Sequence, residues 1–171
     1  MDSNRQAIIV CESVHHGNTR RIAEAMAGIL NAKIVTPVEL TDPGKLAEYA
    51  LVGFGSGIYF GRPHRSLRTL VNRIGELPTD VFLFSTAGLP RLSPLWHAGL
   101  RRTLVRKGAR ILGEFACRGW DTVGPFVLVG GLNRRHPNAS DISRAEAFAK
   151  QILQRNQTWG VRVENSSLGT R

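Results

Sequence analysis

The chain has 171 residues, 42% of them hydrophobic, which is enough for one domain with a sizeable core. Its formal net charge is +10, and its only cysteines, Cys11 and Cys117, sit in apolar runs, which argues against a disulfide-stapled secreted domain and for reduced thiols in the cytosol. No apolar run reaches the roughly 18 residues of a membrane span, and no signal-like region follows "MDSNRQ", so a cytoplasmic protein is expected.

Residues 7–12 (AIIVCE) form an apolar, β-branched run and read as a first strand. Ile22, Met26, Ile29 and Leu30 share one helical face, which predicts a helix over 19–31. Residues 33–38 read as a second strand, TDPGKLAEYA as a turn with a short helix, and LVGFG (51–55) as a third, buried strand. Leu67, Leu70, Val71 and Ile74 predict a helix over 64–75, and VFLFS (81–85) is a fourth strand. Ser93 before Pro94 is a helix start, with Trp96, Leu100 and Leu104 turned inward as far as a stop near Gly108. RILGEFAC (110–117) is a fifth strand. Ser140 and Asp141 would cap a last helix with Ile142, Ala145, Phe148, Ala149 and Ile152 inward. Residues 156–171 are polar and read as a tail, which leaves 1–155 as the domain.

Strands and helices thus alternate through five rounds. Continuous apolar strands indicate a parallel sheet covered on both faces, an open doubly wound α/β fold. Ligands of such sheets bind past the carboxyl ends of the strands, where the strand order reverses. The loops 13–19, 55–63 and 86–92 should meet there.

The first loop, SVHHGNT, has neither the Gly-Lys-Ser/Thr of a nucleotide-triphosphate loop nor the spacing of a dinucleotide fingerprint. It does feed a helix N-terminus, where backbone N–H groups and the helix dipole favour an anion. Gly17 permits an unusual backbone angle, and Asn18 and Thr19 can cap the helix or donate to phosphate oxygens, with Ser13 helping. His15 and His16 can add charge beside a phosphate or simply face solvent; adjacent His without further ligands do not make a metal site. In the second loop, GSGIYFGRPH (55–64), Tyr59 or Phe60 can stack on a flat ring, with Gly57 and Gly61 leaving room for it. Trp120 can cover such a ring instead. The third loop, STAGLPRL (85–92), offers hydroxyls and backbone donors. A phosphate pocket, a stacking loop and a polar loop at one switch point suggest a flavin mononucleotide (FMN) site.

Over residues 7–153 the chain resembles the flavodoxin family. SVHHGNTRRIAEAMA is similar to the family's phosphate loop and first helix, GFGSGIYFGRPHRSL and FSTAGLP to its two isoalloxazine loops, and GGLNRRHPNASDISRAEAFA to the close of a flavodoxin-like prokaryotic branch. The resemblance implies a five-stranded parallel sheet of order 2-1-3-4-5 in three layers. It implies that Ser13, His15, His16, Gly17, Asn18 and Thr19 hold the FMN phosphate. Ser56, Gly57, Ile58, Tyr59, Phe60 and Gly61 would flank the ring, with Tyr59 stacking, while Thr86, Ala87 and Gly88 approach the pyrimidine edge. Three features depart from the family's usual pattern: Val14 replaces a hydroxyl, the third loop has no aromatic, and the chain is basic where electron-carrier flavodoxins are acidic.

No Ser, Cys or His constellation in the sequence suggests a nucleophilic enzyme, so the chemistry would be the flavin's. The leading expectation is electron transfer to an acidic redox protein or a quinone. A second is a flavin-dependent oxidase or dehydrogenase of a small organic substrate, as in the protoporphyrinogen-oxidising relatives. A third is a non-redox module binding nucleic acid through basic residues, which the absence of an interleaved aromatic stripe disfavours. The charge is concentrated: between Arg62 and Arg110 ten Lys/Arg face only Glu76 and Asp80. That segment is expected to form a basic face on the helices at 64–75 and after Ser93, steering an acidic partner.

Overall fold

The computed structural model describes residues 7–14, 17–119 and 136–168, with side chains as far as residue 157. Six strands occur in this span: β1 (Ala7–Glu12), β2 (Lys33–Val35), β3 (Leu51–Tyr59), β4 (Arg62–Pro63), β5 (Asp80–Ala87) and β6 (Arg110–Arg118). Four α-helices accompany them: α1 (Asn18–Leu30), α2 (Arg65–Arg73), α3 (Ser93–Arg106) and α4 (Ala139–Leu168). Pro43–Glu48 forms a 3-10 helix where a short helix was expected. The sheet order is β2-β1-β3-β5-β6, all parallel, with β4 a two-residue antiparallel arm on the end of β3. Without that arm the order is 2-1-3-4-5, as expected.

Alternation along the strands divides the core in two. Ile8, Val10, Val52, Phe54, Val81 and Leu83 pack with Leu67, Leu70 and Val71 of α2 and Leu100 and Leu104 of α3. Ile9, Cys11, Phe82, Phe84 and Cys117 pack on the other face with Ile22, Ala23 and Met26 of α1 and Ala145, Ala149 and Ile152 of α4. Burial pushes both thiols up to about 12, so neither is ionised near neutral pH.

Several boundaries differ from the sequence reading, each for a physical reason. β3 runs on to Tyr59, through residues expected to form a loop, because its far end pairs with Glu12 of β1 and Thr86 of β5 on either side. The glycines of GFGSG belong to that strand. A methyl at Gly53 or Gly55 would lie inside the ring of Phe82 or Phe84, so these glycines seat the aromatic core rather than a ligand. α3 turns His97, not Trp96, inward beside Leu100 and Leu104, and its N-cap is Leu92 rather than Ser93, with no side-chain cap. α4 starts on a reciprocal cap two residues earlier than expected: the Asn138 N–H donates to Asp141 Oδ2 and the Asp141 N–H to Asn138 Oδ1, both at 3.0 Å. The helix also continues past Ile152 to Leu168, and Asn156 Nδ2 donates to the Ala50 carbonyl and to Asp80.

Candidate functional site

The parallel register brings the ends of β1, β3 and β5 to one edge, at the point where the strand order reverses between β1 and β3. Gly17 stands there at φ 65°, the N-cap of α1, and among the described residues beyond its chain neighbours no atom lies within 4 Å of where a side chain would begin. A larger residue would be strained at this angle. Ser13 Oγ accepts the Arg20 N–H at 3.2 Å, which closes the loop back onto the helix start. The first N–H groups of a helix have no helical carbonyl to bind, so this turn is suited to an anion.

Thr19 is 2% exposed and its hydroxyl lies 2.8 Å from that of Thr86, tying the first loop to the third. A Cβ on Gly119 would touch both Asn18 and Thr86, so the end of β6 closes over the same place. Ser56 is buried; its hydroxyl donates to the Gly57 carbonyl and accepts the His64 N–H at 2.8 Å. Tyr59 folds back over Gly57 and meets the His64 ring edge-on at 5.4 Å. Phe60, at φ 49°, is 93% exposed, and Gly61 faces the Trp96 indole. The structure therefore gathers Ser13, Gly17, Asn18, Thr19, Thr86, Ala87 and Gly88 with the β3–β4 hairpin that carries Ile58, Tyr59, Phe60 and Gly61. His15, His16 and Trp120 lie outside the described residues, as do residues 130–135 of the closing motif.

Two polar clusters on the α2/α3 side of this edge escaped the sequence reading. In the first, His97 is 1% exposed, with Nδ1 3.1 Å from Glu114 and Nε2 2.9 Å from Ser85 Oγ. Arg101 donates to the other Glu114 oxygen at 2.5 Å. An ionised carboxylate only accepts, so Nδ1 carries the proton and Nε2 accepts from Ser85. The constellation has the order of a Ser-His-Glu triad, but Ser85 is 1% exposed in mid-sheet, so it holds α3 to β5 and β6 rather than attacking a substrate. The available signal was a glutamate inside an apolar strand, which requires a buried partner. In the second cluster, Ser66 Oγ donates to Glu12 Oε2 at 2.5 Å and lies 2.8 Å from His64 Nδ1.

Burial depresses the His97 pKa below the ordinary histidine value, against the pull of Glu114. The unfolded chain then takes up a proton before the folded one. This contribution to stability is full above about pH 6.5 and is lost as pH falls from there toward the folded-state value. The urea midpoint is expected to drop between pH 7.5 and 5.5, and His97→Gln should flatten that drop; an unchanged slope would count against this assignment.

Among the described residues no group of three or more His, Cys, Asp or Glu is placed to hold a metal ion, and no helix is long and apolar enough to cross a membrane.

An open parallel sheet of this order, with a left-handed glycine turn at the first β-α junction and an aromatic hairpin beside it, defines a flavodoxin-like α/β protein. The chain belongs to the flavodoxin family: the family model described as "Flavodoxin domain" matches residues 8–119. It is 47% identical over 148 residues to the uncharacterized protein MJ0298 of Methanocaldococcus jannaschii, covering 86% of this chain and 98% of that one. Among solved structures it is similar to a flavodoxin from the domain Archaea, with TM-score 0.63 and 14% identity over 89% of this chain and 99% of that one. The Streptococcus pneumoniae TIGR4 flavodoxin matches with TM-score 0.65 and 16% identity over 88% and 99%. A Lactobacillus acidophilus flavoprotein, solved in complex with FMN, matches with TM-score 0.53 and 13% identity over 66% and 93%. At these identities the structural likenesses speak to the fold.

Proposed function

We propose that the protein binds FMN along the carboxyl edge and acts as a redox protein, passing electrons to an acidic redox protein or a quinone. The observation that carries this reading is the meeting of the Gly17 turn with Thr86 and the β3–β4 hairpin at one edge of a flavodoxin-family sheet. The FMN complex of the Lactobacillus acidophilus relative supports the choice of cofactor.

In this reading Ser13, His15, His16, Gly17, Asn18 and Thr19 hold the phosphate. Ser56, Gly57, Ile58, Tyr59, Phe60 and Gly61 flank the ring, and Thr86, Ala87 and Gly88 meet its pyrimidine edge. Bound FMN supplies one- and two-electron chemistry. The chain's own task is orientation and exclusion of water. Ser13 fixes the loop on α1, and the Thr19–Thr86 pair fixes the distance from the phosphate turn to the ring edge. Ser56 pins the hairpin through the His64 N–H. Tyr59 is the expected stacking residue; its packing over Gly57 and the exposure of Phe60 favour Phe60 in that place instead.

The test is the purified protein's colour and emission. It should be yellow, with flavin emission quenched, and one FMN per chain should be released on denaturation. Phe60→Ala should raise the bound-flavin emission more than Tyr59→Ala does. A colourless preparation that takes up no added FMN would overturn the function. A larger rise from Tyr59→Ala would make Tyr59 the stacking residue.

A further inference from the structure

A cleft borders the proposed flavin edge, against the α2 side of the aromatic hairpin. It has a volume of about 620 Å³ and is lined by Val14, Tyr59, Phe60, Arg62, Pro63, His64, Arg65 and Arg68. That size is in the range of small-molecule sites. Its polar lining is one-sided: three arginines and a histidine, with no carboxylate. Within residues 58–75 there is no Asp or Glu at all. Arg68 is held in place by the Pro63 carbonyl, which its Nε contacts at 3.1 Å, and Arg62 and Arg65 are exposed. Forked guanidiniums suit a carboxylate, and the exposed Val14 offers apolar surface to a flat body.

His64 forms part of this wall, and its surroundings are those of a proton-exchanging group. Nδ1 lies 2.8 Å from Ser66 Oγ and 3.3 Å from the Ser66 N–H, and because the Ser66 O–H is committed to Glu12, one tautomer cannot serve both contacts. With the proton on Nδ1, the ring donates to Ser66 Oγ, which donates in turn to Glu12 at 2.5 Å. With Nδ1 bare, it accepts the Ser66 N–H and caps α2. The charged and titratable groups around the ring are Glu12 of β1, Tyr59 of β3, Arg62 of β4, and Arg65 and Arg68 of α2. A protein that only relays single electrons has no need of such a device. An organic substrate that takes up electrons and protons together does.

We infer that this cleft binds a small planar redox substrate bearing a carboxylate, held by Arg62, Arg65 and Arg68, and that His64 exchanges a proton with it. The inference rests on the flavin reading for its electrons. Reduction of a quinone-type carbonyl pair to the diol takes two electrons and two protons. Bound reduced flavin would supply the two electrons together with its N5 hydrogen, and His64 would supply the one remaining proton. His64 then regains its proton from water, with Ser66 and Glu12 steadying the charged ring.

The probe is anthraquinone-2-carboxylate, with the neutral anthraquinone-2-carboxamide as its control. Calorimetric titration of the full chain, with or without flavin, should show the carboxylate binding at least tenfold tighter than the amide. Arg62→Gln with Arg65→Gln should abolish that preference. Equal affinity for the two probes would overturn the site. His64→Asn retains a capping side chain for α2. On the FMN-loaded protein it should leave the melting temperature close to the parent's. It should also slow single-turnover oxidation of the pre-reduced protein by roughly 100-fold and flatten its pH profile. An unchanged rate and profile would overturn the proton role. A chain that binds no FMN would refute the flavin reading instead, which the titration without flavin keeps separate.

Discussion

Replacing Asn18 and Thr19 with alanine should cost FMN far more affinity than riboflavin. The two ligands differ only by the phosphate, so their ratio isolates the anion site from everything else the double variant disturbs. Such disturbance is expected, because the Thr19 hydroxyl is 2.8 Å from that of Thr86 in a buried setting, and its removal leaves Thr86 without that partner. The resulting loosening acts on both ligands alike. The phosphate term acts on FMN alone. Hydrogen bonds to a charged group contribute about 1.5–3 kcal/mol each, so one such bond per residue lost corresponds to a fall in the FMN-to-riboflavin ratio of roughly 100-fold or more. Fluorescence titration of the apoprotein with each flavin is the measurement. Parallel losses would place the phosphate elsewhere than at the start of α1.

The sequence carried the parallel sheet plainly, because its strands are continuous apolar runs and its helices show clean stripes such as Leu67, Leu70 and Val71. The opening of the site was legible too, since Gly17, Asn18 and Thr19 fall where strand one hands over to helix one. Less legible was anything that depends on a partner far along the chain. Gly53 and Gly55 read as part of a buried strand, but nothing local says why they are glycine until Phe82 and Phe84 are seen lying on them. Trp96 looks like a core residue by size, yet His97 takes the inward position because Ser85 and Glu114 satisfy both ring nitrogens from two other strands. Glu12 reads as the polar end of a strand, and only the fold brings Ser66 and His64 to it. Apolar period is a local signal; a buried polar pairing spans 54 residues in one of these cases and 17 in another.

A similar distinction governs the basic surface. α2 and α3 pack on the same face of the sheet, beside the strands that end at the proposed flavin edge. Not all of their arginines are available to a partner. Arg101 is spent on Glu114 and Arg68 on the Pro63 carbonyl, whereas Arg65, Arg102 and Arg106 are exposed. Those three are the ones expected to steer an acidic redox protein. Their effect should appear in the rate of encounter rather than in stability, since single exposed pairs contribute little to equilibrium while a one-signed surface can raise association rates by roughly 10- to 1,000-fold. Electron transfer from the reduced protein to an acidic acceptor should therefore slow steeply as salt rises, because at about 0.15 M charges more than about 8 Å apart are largely screened. Reversing Arg65, Arg102 and Arg106 to glutamate should flatten that dependence and depress the low-salt rate at least tenfold, with FMN affinity unchanged. Stopped-flow rates across ionic strength make the comparison. A rate in the parent protein that ignores salt would show that the arginines serve only as solvated surface, and that the partner is recognised through uncharged contacts.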